Sequence, residues 1–178
     1  YGAVRLALPG RHQIGNAVVA VRALEALGAR GWPAVPATAI REALATVVWP
    51  ARLEWLQYHG VDVLIDGAHN PAGARALASF LQEVGMAPVT CVVGVMRDKA
   101  VRDMLETLAP VTARWIATTA PSPRALAAEP LAEACRAAAA GRDVSAVPDP
   151  IAALDRACAA GGPVVVARDG SGTCQASG

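Results

Sequence analysis

The sequence contains one lysine, Lys99, among its 178 residues. That scarcity excludes a phosphate-cradling loop of the form G-x-x-x-x-G-K-[ST], because Lys99 follows Arg97-Asp98 with no glycine-rich turn leading into it. Aromatic residues are also scarce, at 4%. The positive mean hydropathy therefore comes from Ala and Val rather than from large apolar side chains. No long hydrophobic run exists. The longest stretch free of charged side chains, 84–96, is interrupted by Gly85, Pro88 and Gly94. A bilayer-crossing helix needs roughly 20 apolar residues, so no membrane partner is expected. Neither sign of charge dominates: 16 basic residues face 15 acidic ones, for a net +1. Such a balance leaves no basic footprint for a nucleic-acid backbone. The four cysteines, Cys91, Cys135, Cys158 and Cys174, are too far apart for a zinc-ligand pair and too few for a disulfide framework. Reduced thiols in a cytosolic protein are expected. The first residue is not Met and the N-terminus shows no secretory pattern, which suggests a piece of a longer cytoplasmic chain.

What is present is regular. Apolar residues make up 54% of the sequence, enough for a core. Val4 to Leu8 reads as a short strand ending at Pro9-Gly10. Ile14, Ala17, Val18, Val21 and Leu24 recur at helical spacing, with Gly28 and Gly31 as the stop. A second helix is expected over 37–48, and Trp49-Pro50 breaks it. A domain boundary is placed at 47–52. Beyond it, strands are expected at 52–58, 61–65, 89–95, 114–118, 144–147 and 164–167. Helices are expected at 71–84, 99–108, 123–140 and 151–160. Strand and helix alternate from 61 onward, which predicts an α/β fold with a mostly parallel sheet. The tail from Arg168 to Gly178 has no periodicity and is expected to lack fixed structure.

The strongest local feature is Asp66-Gly67-Ala68-His69-Asn70-Pro71, between a buried strand and a helix. In open parallel sheets ligands sit beyond the carboxyl ends of the strands. Asn70 can cap the helix and Pro71 suits its first position. Asp66 and His69 are left to bind a ligand or to satisfy turn donors. Asp66 suits a ribose hydroxyl, an ammonium group or a metal better than a phosphate, because it is itself anionic. Arg52 could reach a ligand from an interdomain joint or be a solvated surface residue. His12, Gln13 and Asn16 open the first helix. Asn16 lies off its apolar face and could be a capping or surface residue. Asp98-Lys99 follows a strand and could bind an anionic substrate or merely start a helix. His59, in a turn beside Gly60, and Arg124, after a strand, are weaker candidates.

Five motifs occur in register: Gly10-Arg11-His12-Gln13, Asn16-Ala17, Trp49-Pro50-Ala51-Arg52-Leu53-Glu54, Asp66 to Pro71, and Gly94-Val95-Met96-Arg97-Asp98-Lys99. Together they closely resemble the folylpolyglutamate synthase/dihydrofolate synthase family, within the Mur-ligase superfamily. The resemblance covers residues 1 to about 167. It implies that 1–48 is the end of a central ATP-binding domain and that 49–167 is a Rossmann-like C-terminal domain, with 168–178 as an atypical tail.

The resemblance implies an activity as well. The family phosphorylates a carboxylate of dihydropteroate or folate with ATP, and the amine of L-glutamate then displaces phosphate from the acyl phosphate. The nucleotide lies between the central and C-terminal domains. By similarity, Asn16 contacts adenine, while Arg52, Asp66, Gly67, Ala68 and His69 close over the nucleotide. Asp98 and Lys99 lie near the glutamate or phosphate end, and His69 and Lys99 are the candidate catalytic residues. The family's phosphate loop, modified lysine and Mg2+ ligands are expected upstream of Tyr1, so the isolated chain is expected to be inactive, and monomeric. Two positions depart from the family: Ala51 stands where Gly is usual, and Ala100 where Asp is usual. Two further readings are a fragment of another Mur-type ligase, of peptidoglycan or cyanophycin synthesis, and a non-catalytic nucleotide-binding or interaction module.

Overall fold

A computed structural model describes residues 1–168. The chain divides into two compact units, Tyr1–Arg52 and Leu53–Gly178. The expected tail lies almost wholly outside the described residues.

The first unit is built on two helices, α1 (His12–Ala29) and α2 (Ala37–Thr46). Pro36 precedes α2 in an extended conformation, and Gly31 follows α1 with φ 89°, a left-handed value that glycine adopts without strain. Val4 to Leu8 is not a strand. A strand needs a partner ladder, and here the Ala7 N–H goes instead to the Leu44 carbonyl of α2 at 2.8 Å. Within this unit only Gln13 and Ile40 are fully buried. Ile14, Val18, Val19, Leu24 and Leu27 of α1 are exposed.

The second unit is a six-stranded sheet with helices on both faces. Its elements are β1 (Glu54–Tyr58), β2 (Val61–Asp66), α3 (Pro71–Glu83), β3 (Val89–Gly94), α4 (Val101–Leu108), β4 (Thr112–Ala117), α5 (Ala128–Ala138), β5 (Asp143–Ala146), α6 (Pro150–Ala159) and β6 (Val164–Arg168). The strand order is β1-β2-β6-β3-β4-β5. β1 pairs antiparallel with β2, and every other neighbouring pair is parallel. The sheet is thus mostly parallel, with one antiparallel edge.

Period-two alternation divides the core between the faces. Leu64, Cys91, Val93, Trp115, Ala117, Val165 and Ala167 pack with α3, α4 and α5. Val63, Val92, Ile116 and Val164 point the other way, onto Ala153 and Ala157 of α6. All six residues of β3 are buried. α3 turns Ala74, Leu77, Ala78 and Leu81 inward, a stripe at i, i+3, i+4, i+7. Full burial of one such Leu contributes about 2 kcal/mol. Cys91, Cys135 and Cys158 are free thiols.

Two helices start later than the sequence suggests. α5 begins at Ala128 rather than 123, because Leu126 N–H bonds the Val95 carbonyl at 2.9 Å and Ala125 bridges to Met96. The Ala128 N–H then finds the Thr119 hydroxyl at 3.1 Å. α4 begins at Val101 because 96–99 forms a turn, closed by Lys99 N–H to the Met96 carbonyl at 3.3 Å.

Candidate functional site

In the first unit, α1 and the segment after α2 enclose a cavity of about 370 Å³. Asn16, Gln13, Trp49 and Arg52 line it, with Leu6, Leu8 and Leu44 supplying apolar wall. Asn16 and Arg52, far apart in sequence, therefore meet at one cavity. The division between units falls after Arg52, so Arg52 belongs with the first unit rather than the second. The reason is local: Leu53 is tied into the second unit through Asp66, while Trp49 and Arg52 face the cavity. The polar side chains on α1 are linked. Asn16 Nδ2 donates to Gln13 Oε1 at 2.9 Å, and Gln13 Nε2 lies 3.1 Å from His12 Nε2. The sequence places Gln13 in the Gly10-Arg11-His12-Gln13 motif, but a Gln on a helix gives no sign that it will be 6% exposed.

In the second unit, the parallel strands end together, which brings three turns to one end of the sheet. The first turn follows β2. Asp66 is 6% exposed, and its Oδ2 accepts the Leu53 N–H at 3.1 Å. Leu53 has φ 51°, a left-handed value costly for a leucine, and this bond holds it there. Gly67 and Ala68 are buried beneath the turn, and His69 is half-buried. His69 Nδ1 donates to the Gly67 carbonyl at 2.8 Å, which places the ring's hydrogen on Nδ1 and leaves Nε2 on the far side of the ring. Asn70 Oδ1 accepts the Gly73 N–H at 2.8 Å and so caps α3, with Pro71 at the first helical position. Gly73 packs closely here: a Cβ there would stand 3.2 Å from the Ala68 Cα, so the turn would have to give slightly.

The second and third turns follow β3 and β4 and are locked together. Arg97 N–H bonds the Arg124 carbonyl at 3.0 Å, and its guanidinium donates to the Arg124 and Pro123 carbonyls. Arg124 Nη1 stands 3.6 Å from Asp98 Oδ2. Arg124 is thus drawn to the same end of the sheet as Asp98 and Lys99. His59 lies elsewhere, in the β1–β2 turn, edge-on to Tyr58. Among the described residues no cluster of three or more His, Cys, Asp or Glu could hold a metal ion.

The family model described as "Mur ligase, glutamate ligase domain" matches residues 51–169. The chain belongs to the Mur ligase family. Among curated Mur ligase relatives, a dihydrofolate synthase/folylpolyglutamate synthase of Mycobacterium tuberculosis is 41% identical over 134 residues, covering 74% of this chain and 27% of the relative. A folylpolyglutamate synthase of Lacticaseibacillus casei is 33% identical, covering 67% of this chain and 28% of the relative. The chain thus spans about a quarter of the length of these relatives. Among solved structures, Mycobacterium tuberculosis folylpolyglutamate synthase complexed with ADP and AMPPCP aligns with a TM-score of 0.82 and 34% identity, over 95% of this chain and 40% of that one. Folylpolyglutamate synthase of Thermotoga maritima aligns with a TM-score of 0.69 and 32% identity, over 94% of this chain and 38% of that one. No helix among the described residues is long and apolar enough to cross a membrane.

Proposed function

We propose that this chain forms the C-terminal part of an ATP-dependent ligase that joins L-glutamate to dihydropteroate or a folate through an acyl phosphate. On this reading residues 1–48 complete an ATP-binding domain and 49–167 form the glutamate ligase domain, whose first residues, 49–52, lie in the first compact unit. The observation that carries it is the cavity shared by Asn16 and Arg52. These residues come from two separate motifs, and nothing in their sequence separation requires them to meet.

The chemistry is divided by unit. Asn16 reads the base, and the apolar wall with Trp49 shelters its ring. Arg52 supplies a fixed positive charge for the phosphate chain, and a hydrogen bond from a charged donor is stronger than a neutral one. In the second unit Asp66 holds the turn that carries His69, and His69 presents Nε2 as an acceptor or proton carrier. Asp98 and Lys99 offer one charge of each sign, which suits an amino acid bearing both an amine and carboxylates. Positioning the amine against the activated carboxylate is the main physical demand of such a reaction.

The test has two arms. Titration calorimetry of the chain with ADP should detect binding, weakened about tenfold or more by Arg52→Ala, since a charged hydrogen bond is worth about 1.5–3 kcal/mol. A chimera in which this chain replaces the matching segment of the Mycobacterium tuberculosis relative should add glutamate in an ATP-dependent assay. A well-folded chimera with no ligase activity would remove the proposed reaction.

A further inference from the structure

The cavity in the first unit contains a polar side chain that the nucleotide reading leaves unused. Gln13 is 6% exposed and lines the cavity beside Asn16, with Ala17 and Leu44 as apolar neighbours in its wall. A buried amide must satisfy its donors and acceptor locally. Its Oε1 accepts from Asn16 Nδ2 at 2.9 Å, and its Nε2 donates toward His12 Nε2 at 3.1 Å. An amide nitrogen can only donate, so His12 accepts through Nε2 and carries its own hydrogen on Nδ1. As the amides stand, Asn16 donates to Gln13 and Gln13 donates to His12.

We propose that Gln13 is a positioning residue that makes the base site selective for adenine over guanine, by fixing which way the Asn16 amide points. This rests on the reading of the cavity as a nucleotide site. With one Nδ2 hydrogen committed to Gln13, Asn16 keeps its Oδ1 as an acceptor and its second N–H as a donor. Adenine offers the complement of that pair, a donor at N6 and an acceptor at N7. Guanine offers two acceptors, O6 and N7, so Oδ1 of a fixed Asn16 meets a lone pair and the contact is lost. Without Gln13 the Asn16 amide can rotate to turn its NH2 group toward O6, and the discrimination relaxes. Gln13 itself need not touch the base.

The experiment measures the affinities of the 178-residue chain for ADP and GDP by titration calorimetry, with Gln13→Met and Gln13→Glu beside the unaltered chain. The chain should prefer ADP by about tenfold or more, the range of one good amide–base pair. Gln13→Met preserves length and volume but removes the acceptor, and should lower the ADP/GDP ratio about tenfold. Gln13→Glu can still accept from Asn16 and should keep most of the preference. Partial unfolding lowers both affinities by one factor and leaves their ratio unchanged, so the ratio reports orientation rather than folding. A probe that needs no variant is 7-deaza-ADP, which lacks the N7 acceptor and should bind the unaltered chain about tenfold more weakly than ADP. A wild-type ratio in Gln13→Met, or equal binding of ADP and 7-deaza-ADP, overturns the proposal and leaves the nucleotide site standing. Binding of neither ADP nor GDP overturns the nucleotide reading and the proposal with it.

Discussion

The sequence marks Asp66 as a candidate site residue but gives no sign of the backbone partner it holds. The sequence shows a carboxylate at a strand end. It does not show that Leu53, distant along the chain, will need an acceptor for its N–H. The two roles separate by substitution. Asp66→Asn keeps an oxygen for Leu53 and should leave the urea midpoint nearly unchanged, while Asp66→Ala should cost about 1–3 kcal/mol by orphaning a buried donor. If the carboxylate also serves a ligand, Asp66→Asn lowers nucleotide affinity without lowering stability. The buried thiols make a second prediction at this scale. Burial raises Cys91 well above the usual thiol value and pushes Cys135 up to about 12. Both pKa values are raised on folding, so their contribution is complete below the unfolded thiol value of 9.0 and is lost as pH rises toward 12. Urea midpoints measured from pH 8 to 11 should therefore fall, and Cys135→Ala should flatten the fall. A flat profile in the unaltered chain contradicts this account.

Elements were more legible than partners. The stripe on α3, its Asn70–Pro71 start and the uncharged run of β3, rich in β-branched residues, all carry local signals, and each forms as its pattern requires. Val4 to Leu8 carries a similar apolar signal but finds no ladder among the described residues. The start of α5 was displaced by Ala125 and Leu126 pairing with Met96 and Val95, just after β3, a tertiary contact without a local signature. The β1–β2 hairpin shows how a local rule becomes a prediction. Tyr58 pairs with Val61, so His59-Gly60 is the whole loop, and both have positive φ, 49° and 77°. Such two-residue loops favour Asn-Gly. His59→Asn should raise the stability of the second unit by about 0.5–1 kcal/mol, because Asn tolerates the left-handed region better than His. Thermal melts of the two proteins compare them directly, and a lower melting temperature for His59→Asn would contradict the strain argument.

The units differ in what they bury. The second has two core clusters, one on each face of its sheet. The first has a single fully buried apolar residue, Ile40, and its α1 exposes large side chains along most of its length. Short chains bury too little surface to offset the entropy of ordering. Residues 53–178 alone should unfold cooperatively on heating, whereas residues 1–52 alone should show no cooperative transition by circular dichroism. A sharp transition in the shorter piece would contradict this. The strand order has a consequence for how the molecule is made. β6 is the last strand among the described residues, yet it fills the position between β2 and β3. As the polypeptide leaves the ribosome, both neighbours must wait with open edges until residues 164–168 emerge. Unpaired edges are adhesive. The newborn protein is therefore most vulnerable to aggregation just before residues 164–168 emerge, and a stop before Val164 would leave a split sheet.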